Sequence, residues 1–230
     1  MPSIGNELKK LATPGRAKTN VWFFKTGKGQ DGEGDSFLGV SVPATRRVAK
    51  KFTHLPLEEL STSLESKFHE HRLCALLVLV EKFKKADEKE RKEIFDFYLS
   101  KTKFVNNWDL VDLSADKIVG EYLFDKEKKS LYALAKSDSL WERRIAIVST
   151  FALIRRGELK DTFKISRILL GDSHDLIYKA CGWMLREAGK RDKNALVQFL
   201  EAHKSKMPRT MLRYAIEKFS PQERAHFMAK

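Results

Sequence analysis

At 230 residues, with 42% hydrophobic and 33% charged side chains, the chain is long enough to bury a sizeable core and too apolar to be disordered. Its 44 Lys and Arg against 31 Asp and Glu leave a formal charge of +13 and a pI near 9.6, which favours a polyanionic partner, nucleic acid first and an anionic membrane second. The longest apolar runs, such as Ala75 to Val80, are far too short to cross a bilayer and the N-terminus shows no apolar signal-type segment, so a cytoplasmic protein without a membrane span is expected.

Residues 1–41 differ from the rest. A short basic helix pattern around Leu8 to Leu11 leads through Pro14 to an aromatic, basic stretch, Val21-Trp22-Phe23-Phe24-Lys25, and then to a glycine-rich segment, Gly27 to Gly34. That segment lacks the closing Gly-Lys-Ser/Thr of a phosphate-binding loop and follows no clear buried strand, so it reads as a flexible loop crossing the surface. From Val42 onward nearly everything reads as helix. Pro43 suits the first turn of a helix through Phe52 and Pro56 the first turn of one through Phe68. Further helices are predicted over 70–84, 88–101, 107–123, 127–136, 140–156, 161–170, 174–189, 193–203 and 208–218. Ser139 with Glu142 has capping-box spacing, and Asn106 with Asp109 is similar, which makes Asp109 a first-turn helix stabiliser and not a second catalytic acid. Cys74 and Cys181 sit in apolar helical pattern and read as reduced core thiols.

Helix pairs recurring every 34 to 36 residues predict an all-α fold, an α-α superhelix or solenoid in one domain over 1–230, with stacked pairs over 42–230 and a concave basic surface for DNA. Arg72, Trp108, Arg144, Lys179 and Arg213 form one ladder, with steps of 36, 36, 35 and 34 residues. Four residues further along come Leu76, Asp112, Val148, Trp183 and Glu217. Because i and i+4 share a helix face, Trp108, Asp112, Arg144 and Trp183 are expected on a common surface. Aligning Trp108 with Trp141 instead, a step of 33, moves that face by about 60°.

Tryptophans near helix starts commonly fill gaps between helices, and they also hold bases, sugars and cations. Asp112 has two readings: an ion pair with Arg144 between repeats, or a carboxylate that stabilises a developing cation beside a phosphate backbone. The histidines offer little. His69 and His71 fall on different helix faces, and no Cys/His cluster suggests a metal, so neither metal nor cofactor is expected.

Several segments together carry a resemblance to a known family: Phe23-Phe24-Lys25-Thr26-Gly27, Gly32-Glu33-Gly34-Asp35, Phe37-Leu38-Gly39-Val40, Asn107-Trp108-Asp109-Leu110-Val111-Asp112, Leu140-Trp141-Glu142-Arg143-Arg144 and Gly182-Trp183-Met184-Leu185-Arg186-Glu187. With these the chain resembles, over nearly its whole length, the AlkD-type bacterial DNA glycosylases of the DNA alkylation repair family. The resemblance implies a HEAT-like solenoid and removal of positively charged alkylated purines, N3-methyladenine and N7-methylguanine, from duplex DNA by hydrolysis of the N-glycosidic bond. By resemblance the functional residues are Trp108, Asp112, Arg144 and Trp183, and the lesion is met from its backbone side with little or no base flipping. Arg46, Arg47, Lys179 and Arg186 are candidates for further DNA contacts, through the net charge and their places at helix starts or beside Trp183. The competing functions are a non-catalytic binder of branched or damaged DNA and a protein-binding scaffold. A monomer is expected.

Overall fold

The structure, a computed structural model, describes residues 3–229. Among the described residues it is all-α, and the one isolated β-bridge joins Ser36 to Phe68. The chain forms two compact units, Met1–Ser114 and Ala115–Lys230.

The first unit holds α1 (Ile4–Lys9), α2 (Pro14–Phe23), α3 (Val42–Lys51), α4 (Leu57–Leu64), α5 (His69–Lys85), α6 (Glu88–Ser100), a 3-10 turn (Thr102–Phe104) and α7 (Trp108–Asp112). Helix α5 is its core. Apolar residues occupy every side of the run Leu73 to Val80, so it is buried all round, and α1, α3, α4, α6 and α7 pack against it. Helix α2 is the opposite case: none of its 10 residues is buried. It is held at its start by Gly39, at φ +80°, where an added Cβ would lie 2.2 Å from the Thr13 carbonyl oxygen and 2.6 Å from the Ala17 nitrogen. The buried Glu70 carboxylate fixes that corner by accepting the backbone N–H groups of Leu38, Gly39 and Val40 at 2.9, 2.8 and 3.2 Å.

The second unit opens with a π-helical turn (Asp116–Gly120) running into α8 (Glu121–Leu123), followed by α9 (Lys129–Leu134), α10 (Leu140–Arg155), α11 (Lys160–Ile168), α12 (Asp175–Arg191), α13 (Lys193–His203), α14 (Arg209–Ala215) and α15 (Pro221–Met228). Within it α10, α12 and α14 pack side by side as one row, with α9, α11, α13 and α15 against them, which is the stacked-pair pattern the repeat predicts. Gly182 permits the closest step. A Cβ there would stand 2.5 Å from the Met211 carbonyl oxygen and 2.4 Å from the Tyr214 Cβ. Gly182→Ala is therefore expected to push α12 from α14 and destabilise the fold by about 1–3 kcal/mol, read as a lowered melting temperature. An unchanged melting temperature would show that the two helices separate without cost.

Four expectations need correction. The glycine-rich segment is not simply a flexible surface loop: Gly27 to Gln30 are exposed, but the chain then turns inward. Gly32 is buried where a Cβ would lie 2.3 Å from the Phe24 carbonyl oxygen, and Asp35 is buried and hydrogen-bonded. The single helix over 107–123 is interrupted after Asp112 by a turn at Leu113 and Ser114, where the Ser114 hydroxyl donates to the Leu110 carbonyl four residues back at 2.5 Å and pairs with the Tyr98 hydroxyl at 2.9 Å, and by a π-helical turn over Asp116–Gly120. Asn107 and not Asn106 caps α7, its side-chain oxygen accepting the Trp108 N–H at 2.8 Å. At α10, Ser139 accepts the Glu142 N–H, but the Glu142 carboxylate takes the Ser137 hydroxyl instead of closing the box.

Candidate active site

The first unit supplies Trp108 and Asp112, the first and last residues of α7. Both are half-buried. Trp108 stacks nearly parallel with Phe24, centroids 5.4 Å apart at 18°, and meets Phe23 edge-on at 5.9 Å. Phe24 also stacks on Phe37 at 5.0 Å and lies against the His69 ring at 4.8 Å. Packing therefore accounts for much of Trp108, and it fixes the start of α7.

Beneath that stack lies a buried polar cluster. His69, 2% exposed, pairs through Nδ1 with Asp35 Oδ2 and through Nε2 with Asp109 Oδ2, each at 2.9 Å. Arg72 donates to the other Asp35 oxygen and, at 2.8 Å, to the Ser66 carbonyl, while the Asn107 amide reaches Asp35 at 3.2 Å. Burial opposes charge on His69, but hydrogen bonds and charge from Asp109 and Asp35 prevail and raise its pKa to about 9. Asp35 shows the mirror image: desolvation would raise its pKa, and His69 and Arg72 hold it below the usual carboxylate range. Asp109, a first-turn acid of α7 as expected, thus ties that helix to α5. The spacing of His69 and His71, on different helix faces, gives no hint of this cluster. The available signal was that Asp35 and Asp109 both lie in the distinctive segments around the glycine-rich loop and Trp108.

The second unit supplies Arg144 and Trp183. Arg144, on α10 and 5% exposed, donates through Nη1 to the Leu176 carbonyl at 2.6 Å, which ties it to α12. Trp183 is half-buried on α12, its ring 5.8 Å from Phe151. Of the other cations, Arg46 and Arg47 are exposed on α3 of the first unit. Lys179 pairs with Asp175 at 2.7 Å one turn back, and Arg186 is engaged by Glu217 and Glu187. A phosphate at either of these last two would compete with a carboxylate already in place.

The helix caps revise the ladder. Counted from each N-cap, the fifth residue is Leu73 after Phe68, Asp112 after Asn107, Arg144 after Ser139, Lys179 after His174 and Arg213 after Pro208. Trp108 therefore belongs one turn earlier than the 36-residue spacing implied, since α7 starts late, after the 3-10 turn. Asp112, not Trp108, shares a helix position with Arg144, and it is an anion where the next three such positions hold cations.

A model of the DNA alkylation repair enzyme family matches residues 4–219, a span that takes in all four candidate residues and the buried cluster. The chain belongs to that family. Its membership gives it a role in the repair of alkylated DNA, as an enzyme with DNA as substrate. A predicted DNA alkylation repair enzyme from Enterococcus faecalis superposes with a TM-score of 0.70 over 91% of this chain and 97% of its own, at 16% identity, so the two share a fold. No match was found among curated proteins. Among the described residues no helix is long and apolar enough to cross a membrane.

Proposed function

We propose that this DNA alkylation repair family member is a DNA glycosylase, hydrolysing the N-glycosidic bond of positively charged alkylated purines such as N3-methyladenine and N7-methylguanine. Asp112 carries the reading: a half-buried carboxylate, one turn from Trp108, at the helix position that is Arg144, Lys179 and Arg213 in the helices that follow. A plain DNA binder gains nothing from an anion there, since it repels phosphate. A cation-stabilising site does.

The chemistry asks little else of the protein. As the C–N bond breaks, its electrons neutralise the cationic ring, so the base leaves without a proton from a general acid. Water bonds to the sugar C1′ and loses a proton. One carboxylate then suffices, in contrast with the acid and base pair of sugar hydrolysis. Asp112 would stabilise the oxocarbenium character growing on the deoxyribose and orient the water. Trp108 and Trp183 would pack against the sugar and offer π-faces to the positive charge. Arg144 would hold a phosphate of the bound DNA.

In the same reading the protein acts as a monomer in the cytoplasm, and its net charge of +13 favours the duplex as partner. Arg46, Arg47, Lys179 and Arg186 add backbone contacts, and the base stays largely stacked while it is excised. The direct test is to incubate the protein with methylated duplex DNA and identify the released bases by chromatography and mass. Release of N3-methyladenine or N7-methylguanine is expected, and no release of any methylated base would remove the enzyme reading. A lesion-bound structure with the base enclosed by protein would overturn the stacked-base part alone.

A further inference from the structure

The C-terminal turn of α2 displays Val21, Trp22 and Phe23 at 45%, 80% and 54% exposure, next to the candidate site, since Phe23 lies edge-on to Trp108 at 5.9 Å. Isolated exposed apolar residues are unremarkable, but three in succession on a helix with no fully buried residue form a patch. The charge around it is one-sided. Between Glu7 and Asp31 the chain has Lys9, Lys10, Arg16, Lys18, Lys25 and Lys28 and no acid.

The backbone supplies an independent sign. Helix α2 ends in a Schellman motif, in which the Lys25 N–H bonds to the Trp22 carbonyl at 3.2 Å and the Thr26 N–H to the Val21 carbonyl at 3.3 Å. The residue in the left-handed position is normally glycine. Here it is Lys25, at φ +52°, the one non-glycine residue with positive φ among those described. A strained residue retained where glycine would be cheaper points to a use for its side chain.

We propose that Trp22 and Phe23 form a stacking surface for an unstacked nucleobase, other than the excised one, of the DNA bound at Trp108, with Lys25, Lys18, Arg16 and Lys28 taking the phosphates on either side. Aromatic faces interleaved with cations suit that ligand, because every base has a π-face and every nucleotide a phosphate. Phe24 anchors the surface by stacking on Trp108, which keeps Trp22 turned outward at the end of a clamped helix. An anionic membrane would also accept exposed aromatics among lysines. Continuity with Trp108, in a chain of the DNA alkylation repair enzyme family, favours DNA. The inference rests on the proposed DNA site and extends it beyond the four residues assigned above.

The test compares the wild type, Trp22→Ala and Lys25→Gly on an intact duplex and on the same duplex carrying one extrahelical nucleotide, over a range of salt. Trp22→Ala is expected to keep the wild-type melting temperature and salt slope and to lose about tenfold in affinity for the bulged duplex. Lys25→Gly is expected to weaken both complexes and flatten the salt slope by about 0.9, the loss of one phosphate contact, while relief of strain raises its melting temperature by about 2–4 °C. If the wild type binds but Trp22→Ala stays within twofold of it on the bulged duplex, the stacking surface is wrong and the site at Trp108 stands. If the wild type binds neither duplex, the DNA-site reading fails with it. An emission shift on phosphatidylserine vesicles that Trp22→Phe lacks, with no loss of DNA affinity in Trp22→Ala, would reassign the patch to membrane.

Discussion

Asp112→Asn is expected to slow release of N7-methylguanine from methylated duplex by about 10²- to 10³-fold in single-turnover reactions with enzyme in excess, the range seen when one preorganised transition-state contact is removed. Asparagine keeps the shape of the side chain and removes the charge. The loss should therefore fall on the chemical step and not on folding. Affinity for the DNA should stay the same or tighten, because the substitution removes an anion from a helix position held by cations in the helices that follow. These two signs together separate the proposed role from the alternative in which Asp112 serves a structural ion pair, as breaking a buried pair lowers stability along with everything else. Release unaffected by the substitution would remove the mechanism, and a large drop in melting temperature would favour the ion pair.

The helical architecture was legible because its cause is local and periodic. The predicted spans 70–84, 140–156, 174–189 and 193–203 correspond to His69–Lys85, Leu140–Arg155, Asp175–Arg191 and Lys193–His203, where an apolar pattern runs between capping and breaking residues. Helix α2 shows no such pattern because none of its residues is fully buried. The interruption after Asp112 is a local change in backbone hydrogen bonding, a turn at Leu113 and Ser114 and a π-helical turn at Asp116–Gly120, which periodicity does not register. At the site, the residue types and the pairing of Trp108 with Asp112 on one turn could be read directly. The register could not: a repeat of near-constant length hid the late start of α7, which only its Asn107 cap reveals. The buried cluster was still less visible, since His69 meets Asp35 and Asp109 across separations of 34 and 40 residues that no helical period links.

Removing His69 should have the largest effect on stability. Its imidazolium lies between two buried carboxylates, and one Asp109 oxygen in that cluster already lacks a hydrogen-bond partner. His69→Ala would leave Asp109 buried without its cationic partner and strip Asp35 of one of two, a change worth roughly 3–5 kcal/mol for a broken buried pair. That predicts a fall in melting temperature on the order of 10 °C. Adding Asp109→Ala should restore part of it, because the second substitution removes the charge that the first orphaned. The pH dependence has a definite sign. With the folded-state pKa of His69 raised from 6.5 to about 9, the charged form is favoured by the fold, so its contribution is complete below about pH 6.5 and disappears as pH rises through about 9. The shift corresponds to about 3 kcal/mol. Asp35, whose pKa is lowered, contributes in the opposite sense: its share is present at neutral pH and is lost on acidification below the ordinary carboxylate range. Denaturant titrations at pH 6.5 and 9.5 should show the wild type weaker at the higher pH and His69→Ala nearly indifferent to the change. Equal stability of the wild type at both values would mean that His69 is neutral in the fold. The cluster would then hold Asp35 and Asp109 by hydrogen bonding alone. Because Asp109 and Asn107 both stand in the first turn of α7 or at its cap, losing the cluster should also loosen Trp108 and Asp112, so His69→Ala should slow base release at temperatures where the protein remains folded.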